Sequence, residues 1–456
     1  MEGKRIVILG AGESGIGAAL LAKAKGLIPF VSDSGKILPE YKEALMRQSI
    51  PHEEGQHDEN YLLTADEVVK SPGIPDHAPI ILKLQERNIP IISEIEFAFR
   101  FTNAKIIAIT GTNGKTTTSL LTYYLLNQAG LNVCLAGNIG FSFSKEVIED
   151  KFDYFVLEVS SFQLDHIKDF KADIAVLLNI TPDHLDRYEY DFNNYIESKF
   201  RILNNMTGDD IFIYFKEDDV INNYLEENVI LPRKLGMALH EIPEINARMN
   251  GRYLRFSLPA RESEEFKVNM GSINLTGPHN MVNTMASVMI AKVLNVSDRK
   301  IRSALKSFNN VPHRLEKVAE FHDVAFINDS KATNLDATIK ALESYDRPII
   351  WIAGGVDKGN DYDVLLSHVK DKVKGIICLG RDNSKIVNAF KGHIREIKET
   401  IDIRRAVRNA FSLAGPGDVI LFSPSCASFD LFKNYVDRGN KFKEAVDKLI
   451  DKAKNI

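Results

Sequence analysis

The sequence is poor in cysteine, carries no excess of positive charge and contains no long apolar run. Its cysteines, Cys134, Cys378 and Cys426, lie far apart and match no metal-binding spacing. Isolated cysteines of this kind are typical of a reducing compartment. A net charge of -5 gives no reason to expect a nucleic-acid partner, and without an apolar run of spanning length we expect no membrane insertion. No signal peptide precedes the first apolar strand, so the sequence predicts a cytoplasmic protein.

What the sequence does contain is a long alternation of strand-like and helix-like patterns. A chain of 456 residues is too long for one hydrophobic core, and its length alone suggests about three domains. Short apolar, β-branched runs are followed by apolar residues at helical spacing in successive stretches. This alternation is typical of α/β domains with mostly parallel sheets.

The clearest motif lies at residues 106–118, where an apolar strand ends in a glycine turn that leads into a helix. Loop amides and the helix N-terminus can cradle a phosphate, Lys115 adds a positive charge, and the Thr116 hydroxyl can hold Mg²⁺. The general phosphate-loop pattern would place its first glycine at Ile109, whereas this chain carries it at Gly111. Because a strand and a helix flank the turn as the motif requires, we predict an ATP site.

The N-terminal stretch carries a second glycine-rich turn. Gly10, Gly12 and Gly15 follow a short apolar strand, and the next strand ends at Asp33. This is the fingerprint of a dinucleotide site, and taken alone it predicts NAD. A Ser-Pro-Gly turn at 71–73 follows another strand and should lie at the same edge of the sheet. The pattern predicts a nucleotide-like ligand at this edge and leaves its identity open.

In the central stretch, ionisable side chains follow two further strands. Glu158 lies near the end of an apolar strand at 152–159, and His184 follows a strand at 172–180. Because the carboxyl ends of parallel strands meet at one edge, both should approach the phosphate loop. Glu158 then resembles the second acidic partner of a P-loop Mg²⁺ site. Lys199 lies in a helix among apolar neighbours, where a lysine normally extends its amine to solvent.

The last stretch repeats the arrangement of strand and helix. Apolar strands are predicted at 324–327, 348–353, 375–379 and 419–422. The loops that follow them at 328–334, 354–358 and 423–429 are rich in small, polar and cationic residues. Several such loops at one edge of a sheet favour a second pocket that holds an anion. The predicted fold is therefore α/β with three domains: Rossmann-like at 1–97, central and P-loop ATPase-like at 98–310, and Rossmann-like again at 311–456.

Together these motifs resemble the ATP-dependent Mur ligases of peptidoglycan synthesis over essentially the whole chain. The phosphate loop at 111–116 matches the family's own version, which accounts for the position of its first glycine. The other segments that carry the resemblance are 137–140, 158–163, 179–184, 278–280 and 313–314. The loops at 328–334 and 423–430 resemble those of the members that add D-glutamate to UDP-N-acetylmuramoyl-L-alanine. The Asn-Pro-Arg element of the members that add L-lysine or diaminopimelate is not found.

The resemblance implies a reaction in which ATP activates the substrate carboxylate as an acyl phosphate and the D-glutamate amine then displaces phosphate. It implies ATP, two Mg²⁺ ions and a carbamylated Lys199 as cofactors. The implied catalytic residues are Lys115, His184 and Lys199, and the implied metal ligands are Thr116, Glu158, His184 and Lys199. The implied ATP-binding residues are Gly111, Thr112, Asn113, Gly114, Lys115, Thr116, Thr117, Asn280, Arg314, Asp329 and Lys331. For the UDP substrate they are Ser14, Asp33, Ser34, Ser71, Pro72, Gly73, Asn138, Ser160 and Gln163, and for D-glutamate Thr333, Lys358, Ser428, Phe429 and Tyr435.

Other interpretations of the sequence stay open. A folylpolyglutamate-type ligase would share the central domain but would not need the N-terminal Rossmann-like domain. An NAD(P)-binding oxidoreductase would use Gly10, Gly12, Gly15 and Asp33 but leaves the phosphate loop unexplained. A non-enzymatic nucleotide switch leaves the C-terminal loops unexplained. We expect the protein to be a monomer.

Overall fold

The computed structural model describes residues 3–139, 141–258, 265–275, 277–308, 313–357, 360–370 and 372–454. By compactness the chain forms two units, one of Met1–Ile273 with Met281–Phe308 and one of Asn274–Asn280 with Asn309–Ile456. Within the described ranges, the first unit contains two β-sheets and the second contains one.

The first sheet is parallel and has five strands in the part of the chain that is described. They are β1 (Arg5–Leu9), β2 (Ile28–Asp33), β3 (His52–Glu54), β4 (Glu67–Lys70) and β5 (Ile91–Ser93), in the spatial order β3-β2-β1-β4-β5. The helices that follow them are α1 (Glu13–Ala24), α2 (Pro39–Arg47), α3 (Glu59–Leu62), α4 (Pro79–Glu86) and α5 (Glu94–Phe99). Because the strand order reverses between β1 and β4, the loops after these strands border a crevice at the carboxyl edge.

The second sheet has nine strands over the described residues, in the order β14-β13-β12-β11-β10-β9-β6-β8-β7. They are β6 (Lys105–Thr110), β7 (Val133–Gly137), β8 (Tyr154–Glu158), β9 (Ile174–Leu177), β10 (Ile211–Phe215), β11 (Arg233–Ala238), β12 (Ala247–Asn250), β13 (Tyr253–Phe256) and β14 (Phe266–Asn269). The helices are α6 (Lys115–Gln128), α7 (Phe143–Val147), α8 (Ser161–Leu164), α9 (Phe192–Phe200), α10 (Asp219–Glu227), α11 (Pro278–Val293) and α12 (Asp298–Ser307), with 3₁₀ turns at Leu185–Arg187, Arg201–Leu203 and Met270–Ser272. Since β6 pairs in parallel with both β8 and β9, the loops after these three strands leave the sheet side by side.

The third sheet has the order β15-β16-β20-β17-β18-β19. Its strands are β15 (Glu316–Phe321), β16 (Val324–Asn328), β17 (Ile349–Ala353), β18 (Val373–Leu379), β19 (Glu396–Thr400) and β20 (Val419–Phe422). Its helices are α13 (Leu335–Glu343), α14 (Leu366–Val369), α15 (Ser384–Phe390), α16 (Ile403–Leu413) and α17 (Tyr435–Lys454), with a 3₁₀ turn at Tyr362–Leu365. β15 is antiparallel to β16, and the central pairs are parallel. The buried strands are almost entirely apolar, as a sheet covered on both faces requires.

The first two sheets are joined by packed helices and by buried carboxylates. Helices α1, α5 and α7 pack against one another. The Glu94 carboxylate accepts a hydrogen bond from the Ser142 hydroxyl at 2.7 Å, and the Glu96 carboxylate accepts from the amides of residues 168–170. Gly17 allows the closest approach, because a Cβ there would lie 1.8 Å from the Ser142 Oγ. These contacts make one compact unit of the two sheets.

The predicted α/β class with three sheet-forming regions is confirmed. The boundaries 1–97, 98–310 and 311–456 stay predictions. Helix α6 begins at Lys115, because the end of the phosphate loop forms its first turn, and α11 begins at Pro278, because proline fits the first turn of a helix. Among the described residues, we find no helix with both the length and the apolar character needed to cross a membrane.

Candidate active site

The phosphate loop joins β6 to α6 in a conformation that favours glycine. Gly114 has a φ of 89°, and a Cβ there would lie 2.5 Å from the Asn283 Oδ1. Gly111 has a φ of 150°, and its Cβ would lie 3.1 Å from the Cβ of Leu178. A side chain at either position would strain the backbone and crowd its neighbours. The unusual position of the first glycine therefore has a steric basis.

Two lysine amines converge on the carbonyl of Gly111. Lys115 Nζ donates to Gly111 O at 2.8 Å and to Thr112 O at 2.9 Å, and Lys199 Nζ donates to Gly111 O at 3.0 Å. Lys199 is only 1% exposed, and its Nζ lies 4.6 Å from the centroid of the Tyr195 ring. Burial, and next the charge of Lys115, hold the pKa of Lys199 well below its ordinary value. The interpretation of Lys199 as a lysine that extends to solvent is therefore wrong.

The loop after β9 is bonded to the phosphate loop. The amide of Thr112 donates to Asn179 O at 2.9 Å, and the amide of Asn113 donates to Asn179 Oδ1 at 2.8 Å. The Thr112 Oγ1 accepts from the Thr181 amide at 3.0 Å and lies 3.1 Å from the Tyr195 hydroxyl. These two loop amides are therefore bonded within the protein, to the loop that follows β9.

Glu158 ends β8 with its carboxylate buried, and the residue is 3% exposed. One carboxylate oxygen, Oε1, accepts from the Asn138 amide nitrogen at 2.9 Å, whereas Oε2 is buried without a hydrogen-bond partner. A buried carboxylate oxygen left in this state is unfavourable and suits a bound cation. Within the described ranges, no three His, Cys, Asp or Glu side chains come together as a metal cage. Mg²⁺ commonly binds to one or two protein oxygens and completes its shell with water and phosphate, which fits Glu158 and Thr116.

His184 lies in the loop after β9, at the same edge of the sheet. Its φ of 53° is in the left-handed region, and its amide donates to Asp183 Oδ1 at 2.9 Å. The imidazole packs edge-on against Phe162, with ring centroids 5.2 Å apart. Its side chain is 39% exposed. The turn therefore holds an accessible imidazole at the edge that carries the phosphate loop.

The crevice of the first sheet is bordered by the loops after β1 and β4. Gly10 has a φ of 91°, and a Cβ there would lie 2.6 Å from the Ser71 Oγ. The Asp33 carboxylate accepts from the amides of Ala11 and Gly35 at 2.7 Å each. In a dinucleotide site this acid would bond the ribose, but here it braces two backbone turns. The predicted residues at this edge are Ser14, Asp33, Ser34, Ser71, Pro72 and Gly73.

Three further residues predicted for the UDP substrate lie on the second sheet. Asn138 bonds Glu158, as described above. Ser160 and Gln163 form a capping box for α8: the Ser160 amide donates to Gln163 Oε1 at 3.0 Å, and the Gln163 amide donates to Ser160 Oγ at 3.4 Å. These bonds fix the end of β8 and hence Glu158. A direct contact of the three residues with substrate stays a prediction.

In the second unit, Asp329 is a buried acid after β16. The residue is 4% exposed, and burial raises the pKa of its carboxyl to about 7 although Arg314 opposes the shift. The carboxylate accepts from the Ser423 hydroxyl at 2.9 Å and from the Leu315 amide at 3.2 Å. These contacts hold the start of the 328–334 loop against β20.

The predicted D-glutamate loops of the second unit are bonded to each other. Val356 donates to Ala427 O at 2.8 Å, and Ala427 donates back to Val356 O at 3.1 Å. Lys331 Nζ lies 5.5 Å from the centroid of the Tyr435 ring. The other predicted residues of this unit that are described are Asn280, Arg314, Thr333, Ser428 and Phe429, and Lys358 lies outside the described residues. Their roles stay predictions.

Sequence reasoning missed several residues that contact the predicted site. Asn283 of α11 packs against Gly114, and Thr118 Oγ1 lies 3.2 Å from its Oδ1. Arg438 of α17 is buried and donates to Ser330 O at 2.7 Å and to Cys426 O at 3.0 Å. The contacts of Asn283 with Thr118 and of Arg438 with Ser330 join residues 165 and 108 positions apart in the sequence. No local pattern could have indicated them.

Models of known families match along the chain. The Mur ligase MurD-like N-terminal domain matches residues 4–93, the Mur ligase middle domain matches 109–291, and the Mur ligase glutamate ligase domain matches 313–426. The chain belongs to the Mur ligase family. Predictions of the family and of the ligase class of enzyme are thereby confirmed, and the family is ATP-dependent. The oxidoreductase interpretation is wrong, because the MurD-like model covers the glycine-rich turn on which it depended. The interpretation as a non-enzymatic nucleotide switch is wrong, because the chain belongs to a family of ligases.

Individual relatives agree with the family models. This Mur ligase is 50% identical to the UDP-N-acetylmuramoylalanine--D-glutamate ligase of Christiangramia forsetii over 98% of this chain and 100% of the relative. It is 49% identical to the ligase of the same name from Porphyromonas gingivalis over 97% of this chain and 98% of the relative. Among solved structures it resembles UDP-N-acetylmuramate-alanine ligase MurC from Thermotoga maritima, with a TM-score of 0.62, 17% identity, and coverage of 98% and 99%. The pseudomurein peptide ligase type C from Methanothermus fervidus gives a TM-score of 0.62 at 18% identity, covering 98% and 100%. At such low identity the two structures support the fold alone.

Proposed function

We propose that this Mur ligase adds D-glutamate to UDP-N-acetylmuramoyl-L-alanine at the expense of ATP, in the synthesis of peptidoglycan precursors. The observation that carries the proposal is the identity of about half of all residues, over the full length, to relatives that bear this name. The two hydrogen-bonded loops of the second unit and the phosphate loop of the first unit are consistent with this function. The reaction begins when the alanine carboxylate of the UDP substrate attacks the γ-phosphate of ATP, which gives an acyl phosphate and ADP.

The first step brings two anions together, so positive charge at the phosphate loop is its main requirement. Lys115 supplies a cation that is already held at the loop carbonyls of Gly111 and Thr112. The amides at the start of α6 supply further donors. When bound, Mg²⁺ neutralises charge on the transferring phosphoryl group. Thr116 and the unpaired Oε2 of Glu158 are the groups that would hold it.

We also propose that Lys199 carries a carbamate. Its neutral amine attacks the carbon of CO₂, one C=O π pair moves to oxygen, and the nitrogen loses a proton to water. The buried position and the lowered pKa of Lys199 favour the neutral amine that this step needs. The resulting anion would join His184 as a ligand of a second Mg²⁺. It would also place a negative charge beside the Lys115 cation, which attracts it.

In the second step the D-glutamate amine attacks the carbonyl carbon of the acyl phosphate. A tetrahedral intermediate forms, the amine gives up a proton to water, and phosphate leaves to give the amide. Lys358 and the hydroxyls of Thr333 and Ser428 are proposed to hold the two carboxylates of D-glutamate, with Phe429 and Tyr435 beside them. Since Ser428 directly follows the bonded pair Val356–Ala427, its hydroxyl is attached to a fixed loop.

The test is phosphate release from ATP with purified protein and UDP-N-acetylmuramoyl-L-alanine, with and without D-glutamate. We expect steady turnover only when both co-substrates are present, and none with L-glutamate in place of the D-isomer. Turnover that ignores either co-substrate, or that appears with a folate and L-glutamate, would refute the proposal. Formation of the amide should be followed in parallel by mass spectrometry, since it rises one-for-one with phosphate.

We further propose that the enzyme acts in the cytoplasm as a monomer. Its cysteines, Cys134, Cys378 and Cys426, are free and buried, and burial raises the pKa of Cys426 to about 11. Such unreactive thiols fit a reducing compartment, where ATP and UDP-linked precursors are also made. Light scattering of the purified protein over a range of concentrations would test the monomer, and a mass that rises towards twice that of the chain would contradict it.

A further inference from the structure

Arg187 contacts the turn after β4, although it belongs to the layer of the second sheet. Its guanidinium donates to Ile74 O at 3.1 Å and to Pro72 O and Gly73 O at 3.4 Å each. The guanidinium carbon also lies 4.4 Å from the centroid of the Phe162 ring. One cation of the second sheet therefore faces three successive carbonyls of the first.

The direction of these carbonyls fixes the direction of an amide. In a trans peptide the C=O and the following N–H point to opposite sides. Because the Pro72 carbonyl faces Arg187, the Gly73 N–H points away from it. A Cβ added to Gly73 would meet nothing within 4 Å, so the space beside this residue is open. The turn therefore holds a polarised amide on the side away from Arg187, at a residue with open space beside its Cα.

We propose that Arg187 is a positioning residue for the UDP substrate, orienting and polarising the Pro72–Gly73 peptide so that the Gly73 amide donates to the substrate's pyrophosphate. This inference rests on the proposed function. Arg187 does not need to touch the substrate for this role. The Arg187 amide donates to His184 O at 2.9 Å. One short turn therefore positions both the His184 imidazole and the Arg187 guanidinium.

A second cation anchors the same turn and makes the role of Arg187 separable from folding. The side chain of Lys70 is 1% exposed, and its Nζ donates to Ile74 O at 2.9 Å and to Asp76 Oδ1 at 2.5 Å. His166 Nε2 lies 2.9 Å from the same Asp76 oxygen. Ile74 thus keeps a cationic partner when Arg187 is removed. The contacts that would be lost are those to the carbonyls of Pro72 and Gly73.

The test compares Arg187→Met and Arg187→Lys with the wild type for two ligands, UDP and uridine. Affinity for UDP is measured by titration calorimetry and that for uridine by ligand-observed NMR. Arg187→Met should lower the affinity for UDP about tenfold, the usual scale for one lost charged hydrogen bond. The same variant should lower the affinity for uridine less than about twofold. Arg187→Lys keeps the charge and should show an intermediate loss for UDP. ATP affinity should be unchanged in both variants. Arg201→Met, at an exposed position of the same unit, is the matched control and should behave like the wild type.

The outcomes separate this inference from the function on which it rests. An equal loss for UDP and uridine would show a general disturbance of the crevice and overturn the inference, as would unchanged UDP affinity in the Met variant. If that variant does not fold, the UDP-to-uridine ratio of Arg187→Lys decides in the same way. A wild-type protein that binds neither UDP nor UDP-N-acetylmuramoyl-L-alanine would instead refute the proposed function.

Discussion

Replacing Asp329 by asparagine should stabilise the second unit at alkaline pH while lowering activity. Burial raises the pKa of this carboxyl to about 7, against an ordinary value of 3.8. Hydrogen bonds from the Ser423 hydroxyl and the Leu315 amide and the nearby charge of Arg314 favour the ionised form, but desolvation outweighs them. A buried carboxyl whose desolvation outweighs its hydrogen bonds destabilises the folded protein whenever it is ionised.

Whether Asp329 loses or gains stabilising effect as the pH rises follows from the direction of its pKa shift. Because folding raises the pKa of Asp329, its contribution to stability is fully present below the unfolded value of 3.8 and is lost as the pH rises through about 7. Between about pH 5 and about pH 8 the loss amounts to about 3 kcal/mol. Asp329→Asn is neutral throughout and avoids this loss. Its free energy of unfolding relative to the wild type should therefore rise by about 3 kcal/mol over that interval.

Trp351 provides the signal for this measurement. It is the single tryptophan of the chain, it is fully buried, and its Nε1 donates to Ser423 O at 2.7 Å. Urea unfolding followed by tryptophan fluorescence thus reports on the unit that holds Asp329. His279 of the same unit, whose pKa burial lowers to about 3, changes stability in the opposite direction as the pH rises. Comparing the variant with the wild type at each pH cancels its effect.

Asp447→Asn, at an exposed position of α17, is the matched control, and its difference from the wild type should not depend on pH. If the difference between Asp329→Asn and the wild type is also independent of pH, Asp329 is already ionised at neutral pH and the reasoning fails. Turnover should fall in Asp329→Asn if the charge serves the nucleotide, as the family resemblance implies. Full activity in the variant would remove Asp329 from the proposed ATP-binding residues.

Three further substitutions test the first unit. Lys199→Ala should lose most activity and regain part of it with short-chain carboxylic acids, which can replace a carbamate; full activity without them would exclude that role. Glu158→Gln keeps the size but removes the charge, so the Mg²⁺ concentration for half-maximal activity should rise at least about tenfold, and an unchanged Mg²⁺ dependence would contradict metal binding. Gly114→Ala adds a Cβ 2.5 Å from Asn283 Oδ1 at a φ of 89°. The affinity for ATP, measured by calorimetry, should therefore fall by more than about tenfold. Gly130→Ala, at a φ of 86° with nothing within 4 Å, shares the strain without the clash and should bind ATP normally.

Much of the fold was predictable because its strands are short, apolar and regularly followed by helices. The rule that ligands collect at the carboxyl ends of parallel strands placed Glu158 and His184 at the edge of the phosphate loop, and β6, β8 and β9 are indeed neighbours. The pattern could not indicate that the Asp33 carboxylate is taken up by two backbone amides. The dinucleotide fingerprint describes spacing along the chain, whereas those bonds depend on how the turns close.

Lys199 shows most clearly where sequence reasoning ended. A helical pattern indicates which face of α9 is apolar, but it cannot say what that face packs against. Here it packs against the phosphate loop, so a residue that would elsewhere reach solvent is buried with its amine 3.0 Å from Gly111 O. Arg187 and Asn283 were missed for a related reason, since their contacts join separate layers.

The position of the first glycine can be explained by the strand that precedes it. Ile109 is fully buried in β6 and pairs in register with Glu158. A loop that opened at Ile109 would shorten β6 and remove that pairing, and with it the backbone support of the carboxylate that we propose as a metal ligand. Opening the loop at Gly111 keeps the pairing and turns the Gly111 carbonyl towards Lys115 and Lys199. The same backbone course thus supports both the acid and the low-pKa amine, so substitutions at Gly111 should disturb both.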